Sequence, residues 1–147
     1  IIIQYVQKVA KVHGHYYPRL HQIKNLFIEV SQELEEHLTK EETVLFPFIE
    51  EMLNEKTSGS LQSDLSTEDI KECIAMLEEE HERAGNIFKD ISILSNNYTP
   101  PVDACNTFKA LYDLLEEFEN DLHIHIHLEN NILHPKALAI AQKKNLI

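Results

Sequence analysis

Three long stretches of the chain repeat apolar residues at spacings of three and four, the pattern of helices with one buried face. The first stripe is Ile23, Phe27, Val30, Leu34, Val44 and Phe48, on a helix expected from about Arg19 to Leu53. The second is Ile70, Ile74, Leu77, Ala84, Phe88 and Ile91, and the third is Phe108, Leu111, Leu115, Phe118, Leu122 and Ile132. A shorter helical piece occupies residues 1 to about 12. Breakers separate these elements. Gly14 and Pro18 interrupt the chain in HGHYYP, and NEKTSGSLQSD reads as a loop. Ser66 with Asp69 forms a capping-box pattern that opens the third helix, and SNNYTPP ends it. Thr99 is expected to cap the fourth helix, with Pro100 at its first position. Pro135 is expected to end or kink that helix before a last short helical piece. The fold class is therefore all-α, an antiparallel four-helix bundle with a short first helix.

The stripes are interrupted by polar residues, and the interruptions carry the chemistry. The series 23, 27, 30, 34 continues through His37 and Glu41 before it returns to Val44. The second continues through His81, and the third through His125 and Glu129. An unpaired buried carboxylate costs several kcal/mol. A bound cation offsets that cost, because imidazole nitrogen and carboxylate oxygen are good ligands for iron, manganese or zinc. His and Glu at i and i+4 share one helix face, so both reach one cluster. Each carboxylate can bridge two metals while each His terminates one. The candidate metal ligands are His37, Glu41, His81, His125 and Glu129, and two His-Glu pairs suggest a dinuclear site.

The two pairs belong to one repeated pattern. Residues 37–47 read HLTKEETVLFP and residues 125–135 read HIHLENNILHP. Both fit H-x3-E-x2-[VI]-L-x-P. A single HxxxE arises easily by chance; two copies on core stripes with matching Leu and Pro do not.

The other histidines read differently. His123 and His127 fall off the core stripe and are expected in solvent, though either could support a ligand. His134 takes an apolar position of the repeat and is expected near the bundle end. His13, His15 and His21 flank the first turn in structural or exposed roles. Glu33 and Glu80 lie near the ligands and could hold them or relay protons or ions, or equally be surface residues, whereas Glu78 and Glu79 read as ordinary solvated helix.

Composition narrows the partners. A formal net charge of −12 over 147 residues repels nucleic-acid backbones and anionic lipid. Cys73 and Cys105 have no CxxC spacing, so they make neither a disulfide framework nor a zinc site, and this usage suits a reducing compartment. Cys73 is expected on an apolar face. No apolar run is long enough to span a membrane, and the start lacks the features of a signal peptide.

With these residues in view, the chain resembles the hemerythrin-like (HHE) superfamily. More narrowly it resembles the iron–sulfur cluster repair di-iron proteins, the repair-of-iron-centres family. The segments that carry the resemblance are VHG at 12–14, QELEEHLTKEETVLFP at 32–47, EEEHERAG at 78–85, NNYTPP at 96–101 and DLHIHIHLENNILHP at 121–135. The last two are more specific than the bare HxxxE. The resemblance implies one hemerythrin-like di-iron domain over 1–147. Its cofactor would be two iron ions with an oxo or hydroxo bridge, manganese or zinc being alternatives. His37, His81 and His125 would be terminal ligands, and Glu41 and Glu129 would bridge. Oxygen-carrying hemerythrins have a further His four residues after the helix-three ligand, where this chain has Gly85; that matches the repair family and leaves room for an exchangeable iron.

The function implied is repair of iron–sulfur clusters after nitrosative or oxidative stress, by iron donation, in the bacterial cytoplasm. Partners would be damaged iron–sulfur proteins and small molecules such as nitric oxide or dioxygen, with no nucleic acid and no membrane; a homodimer is compatible with the sequence. The alternatives are a dioxygen or nitric oxide sensor or carrier, and a purely structural bundle. The family usually carries a small cysteine-containing domain before the bundle and a first-helix histidine ligand. Helix geometry places such a ligand roughly six residues upstream of Ile1. A water or a neighbouring chain would be the other sources of that sixth ligand.

Overall fold

The computed structural model describes residues 1–58 and 66–145. Every regular element among them is helical: α1 (Ile2–His13), α2 (Arg19–Lys40), α3 (Phe46–Ser58), α4 (Thr67–Leu94), α5 (Asn106–Leu128) and α6 (His134–Asn145). Wide π-helical turns join α2 to α3 (Glu41–Leu45) and α5 to α6 (Glu129–Leu133). The described residues therefore form four helical rods, the expected all-α class. No helix of the described residues is long and apolar enough to cross a membrane.

The π turns follow from the repeated sequence. Each closes with an i→i+5 bond, Phe46 N–H to Glu41 O and His134 N–H to Glu129 O. Pro47 and Pro135 stand one residue further on. A proline has no N–H, and its ring crowds the carbonyl four residues back. The helix widens by one residue at that point and then continues. Pro135 therefore does not end the helix. The extra residue also shifts the buried face. Leu45 is fully buried while Val44 is half-buried, and Ile132 is exposed while His134 is buried. The expected core positions Val44 and Ile132 are corrected accordingly.

Two further boundaries differ from expectation. The second rod stays helical to Ser58, past Leu53, and residues 59–64 of the expected loop lie outside the described residues. The fourth rod begins at Asn106, where Lys109 N–H bonds Cys105 O, and not at Thr99–Pro100. Pro101 keeps Pro100 out of the helical region, so Pro100 cannot open a helix. The capping box at Ser66 is formed as expected: Asp69 N–H donates to Ser66 Oγ at 3.1 Å and Ser66 N–H to Asp69 Oδ2 at 3.0 Å.

The chain divides into two compact units. One comprises Ile1–Glu33 and Arg83–Ile124. Its core draws Val6 and Val9 from α1, Ile23, Phe27 and Val30 from α2, Phe88 and Ile91 from α4, and Leu111 and Leu115 from α5. Phe27, Phe88 and Phe118 pack ring on ring, with centroids 5.4–6.3 Å apart. After α4, Asn96, Asn97 and Tyr98 all adopt positive φ. Tyr98 holds this conformation because it is buried, its N–H bonds Ser95 Oγ and its hydroxyl donates to Glu119.

The other unit comprises Leu34–Glu82 and His125–Ile147. Its apolar cluster joins Leu45, Phe48 and Met52 to Ile70, Ile74 and Leu77 and to Ala137 and Ala141, with Cys73 packed half-buried against it. Every interrupted-stripe residue, His37, Glu41, His81, His125 and Glu129, belongs to this unit.

Two glycines make opposite demands. A Cβ on Gly14 would meet Ala10 O at 2.3 Å, so the turn after α1 needs glycine. A Cβ on Gly85 would meet nothing within 4 Å, and Gly85 lies inside α4. Glycine inside a helix costs about 1 kcal/mol relative to alanine. Gly85→Ala is expected to stabilise the fold by about 0.5–1 kcal/mol, and Gly14→Ala to destabilise it, by denaturant titration. A loss of stability for Gly85→Ala would show that this position needs its glycine.

Candidate metal centre

His37 lies in the last turn of α2, and Glu41 opens the π turn that follows. His81 lies within α4. His125 lies in the last turn of α5, and Glu129 opens the second π turn. His37, Glu41, His81 and Glu129 are all buried, and one donor atom from each lies within 4.8 Å of the others. His37 Nε2 is 2.9 Å from Glu41 Oε1 and 2.9 Å from His81 Nε2. His81 Nε2 is 3.4 Å from Glu129 Oε2. His125 differs from these four: its Nε2 lies against Glu129 Oε1, but its side chain is 49% exposed.

The far sides of the rings are held as well. His37 Nδ1 meets Glu80 Oε1 at 3.0 Å, and Lys40 Nζ holds the other Glu80 oxygen at 2.5 Å. His81 Nδ1 meets Asn130 Oδ1 at 2.8 Å. An oxygen acceptor at Nδ1 favours the N–H there and leaves a lone pair on Nε2, the arrangement that orients metal-binding histidines.

The electrostatics suit a bound cation. Burial pushes the Glu41 carboxyl above its usual value, and the nearby Glu129 carboxylate adds to this against the pull of His37. Burial also opposes ionisation of Glu129, but His81, Glu41 and His125 outweigh it and hold that carboxyl well below its usual value. Burial works to lower the His37 pKa, yet Glu41 and Glu80 together raise it. Glu80 is lowered, its burial outweighed by Lys40 and His37. Glu41 Oε2 and Glu129 Oε2 nevertheless make no hydrogen bond to a described residue, while Glu129 Oε1 lies against the His125 imidazole. Two buried carboxylates with orphaned oxygens beside two imidazole nitrogens form a donor set suited to a divalent or trivalent cation.

Some residues behave otherwise than the sequence suggests. His123 and His127 are exposed, as expected. Glu80 engages His37 Nδ1, whereas Glu33 lies half-buried in the other unit. His134 is completely buried beside Glu129. Glu78 is not simply solvated, because Oε1 bonds His134 Nδ1 at 3.1 Å. A strict α-helical period hides His134, since the π turn inserts one residue between it and Glu129. The readable signal was a histidine at an apolar position of the repeat, immediately before a proline.

Fold and donor set together are those of a helical domain with a buried His–Glu cluster suited to a cation. The family model for the hemerythrin HHE cation binding domain matches residues 1–137, and the chain belongs to that family. It is similar to proteins named iron-sulfur cluster repair protein YtfE from Musicola paradisiaca, Yersinia pseudotuberculosis and Pectobacterium atrosepticum. Each is 36% identical over 137 residues, which is 93% of this chain and 56% of the relative. The chain thus spans a little over half the length of these relatives.

The raised His37 pKa gives a signed pH dependence. Without metal, the His37 pairing stabilises the fold fully below the ordinary imidazole pKa and is lost as pH rises through the raised value. The lowered Glu80 contributes in the opposite window: its stabilisation is full above the ordinary carboxyl value and is lost as pH falls through the lowered one. Metal needs the neutral imidazole, so it competes with the His37 proton. The increase in melting temperature on adding Fe(II) anaerobically is therefore expected to grow from pH 6 to pH 8. Apparent affinity should change by about tenfold per pH unit for each proton displaced. Glu80→Gln should shift the onset to lower pH. A metal-induced increment that stays constant over this range would contradict the arrangement.

Proposed function

We propose that this chain is a non-haem di-iron protein that repairs iron–sulfur clusters damaged by nitrosative or oxidative stress in the bacterial cytoplasm, by donating iron. The observation that carries this reading is the buried cluster of His37, Glu41, His81 and Glu129 with its orphaned carboxylate oxygens. The printed names of the relatives support the choice of repair among the roles open to the family.

In this reading His37, Glu41, His81, His125 and Glu129 would hold the two irons. Bound iron would supply redox chemistry and a binding position for small molecules. The protein's own part is to hold the donors. Glu80 and Asn130 fix the ring orientations of His37 and His81, and Lys40 fixes Glu80. His125, half-exposed beside Glu129, gives the cluster a side open to solvent.

The same exposure favours a second reading, a sensor or carrier of dioxygen or nitric oxide, because a small molecule could reach the cluster beside His125. Two measurements separate them. Anaerobically purified protein should hold about two irons per chain, and Glu41→Gln with Glu129→Gln should remove most of that metal. Iron-loaded protein should restore an enzyme whose iron–sulfur cluster has been damaged, and the double variant should not. Full iron loading with no restoration, together with reversible dioxygen or nitric oxide binding, would favour the carrier. Less than one iron per chain, unaffected by the two substitutions, would sink both.

A further inference from the structure

We propose that His134 is a further metal ligand of this centre, acting through Nε2 on the Glu129 side. The proposal rests on the metal-centre reading and extends its donor set.

His134 carries the same signature as His37 and His81. It is completely buried. Its Nδ1 is engaged by a carboxylate, Glu78 Oε1 at 3.1 Å, as His37 Nδ1 is engaged by Glu80 Oε1 at 3.0 Å. The Glu78 acceptor favours the N–H on Nδ1, which leaves a lone pair on Nε2. That Nε2 is buried and has no hydrogen-bond partner among the described residues. It lies 3.7 Å from Glu129 Oε2, too far for a hydrogen bond. Two atoms that share one metal at about 2.1 Å each stand roughly 3–3.5 Å apart, so this separation is close to that of neighbouring ligands. The His134 ring lies parallel to that of His81, with centroids 5.9 Å apart and planes 1° apart.

The backbone explains how this residue reaches the centre. In an α-helix, position i+5 points about 140° away from position i. Here His134 N–H bonds Glu129 O across the π turn, which brings i+5 back over i. The corresponding residue of the first repeat is Phe46, which is exposed, and Leu45 takes the buried position there. The two repeats therefore share a backbone device but use it differently. The first turns a leucine into the apolar cluster; the second turns an imidazole toward a carboxylate.

The competing reading is a structural one, in which His134 is a buried imidazolium paired with Glu78 and Glu129 and touches no metal. Metal-bound histidines in a Co(II) protein give hyperfine-shifted, exchangeable N–H signals in proton NMR. The wild-type protein loaded with Co(II) should show such a signal from His134 Nδ1–H. The signal should vanish in His134→Gln and shift in Glu78→Gln. Fe(II) affinity measured anaerobically should fall roughly 100-fold in His134→Gln and roughly tenfold in Glu78→Gln. His134→Phe, which places the residue of the first repeat at this position, should match His134→Gln. Glu78 is only half-buried, so Glu78→Gln keeps the test open if the His134 variants do not fold. The proposal is overturned if the Co(II) protein shows no shifted signal assignable to His134, or if the folded variants keep wild-type affinity and spectrum. In that case the centre stands with its other ligands. If wild-type protein takes up neither Fe(II) nor Co(II), the metal-centre reading fails first, and this one with it.

Discussion

Two carboxylates inside a helical core set the terms for everything around them. Glu41 and Glu129 are almost completely removed from solvent, and Glu41 Oε2 and Glu129 Oε2 make no hydrogen bond to a described residue. A buried charge without compensation costs several kcal/mol, a large fraction of what keeps a domain folded. Their neighbours are arranged to supply positive charge or to hold a group that does. His37 and His81 turn Nε2 inward because Glu80 and Asn130 occupy their outer nitrogens. Lys40 then balances Glu80. The resulting layers run from buried carboxylate to imidazole to outer acceptor to surface lysine. Removing the innermost layer would leave the outer ones without a purpose.

The backbone shares in this arrangement through the π turns. A helix that continued unbroken past Glu41 would have to place the Pro47 ring against the carbonyl four residues back. Widening by one residue avoids the clash and keeps the rod continuous. It also changes which side chains face inward after each Glu. Proline therefore acts here as a register device as much as a helix breaker, and in each repeat it follows the buried Glu by six residues.

Much of this was legible beforehand because it rests on local periodicity. The apolar stripes of α2, α4 and α5 reach the core as Ile23, Phe27, Phe88, Leu111 and Leu115. The gaps in those stripes at 37, 41, 81 and 129 converge on one cluster. Ser66 and Asp69 cap α4 through contacts three residues apart, a distance at which sequence alone suffices. What was not legible depends on a change of period or on partners far along the chain. Val44 and Ile132 were expected inside because 3.6 residues per turn was carried across a segment that winds more widely. Thr99–Pro100 looked like a helix start only while Pro101 was left out of account. Glu78 looked solvated because its partner, His134, lies 56 residues away.

His134 shows why a repeat should be read for its differences as well as its matches. The two copies share His, Glu, Leu and Pro, and the shared residues are enough to build the same turn twice. The departure is Phe46 against His134. A phenylalanine needs no polar partner; a fully buried imidazole needs one on each side. The structure places Glu78 at one nitrogen and the orphaned face of Glu129 nearest the other. Glu78 could have stayed in solvent, and half of its side chain does. That it engages His134 at all means the imidazole is held in one tautomer and one orientation, with its free nitrogen turned to the buried carboxylate. A structural histidine would gain only the satisfied Nδ1 from that bond; a ligand gains in addition an oriented lone pair on Nε2.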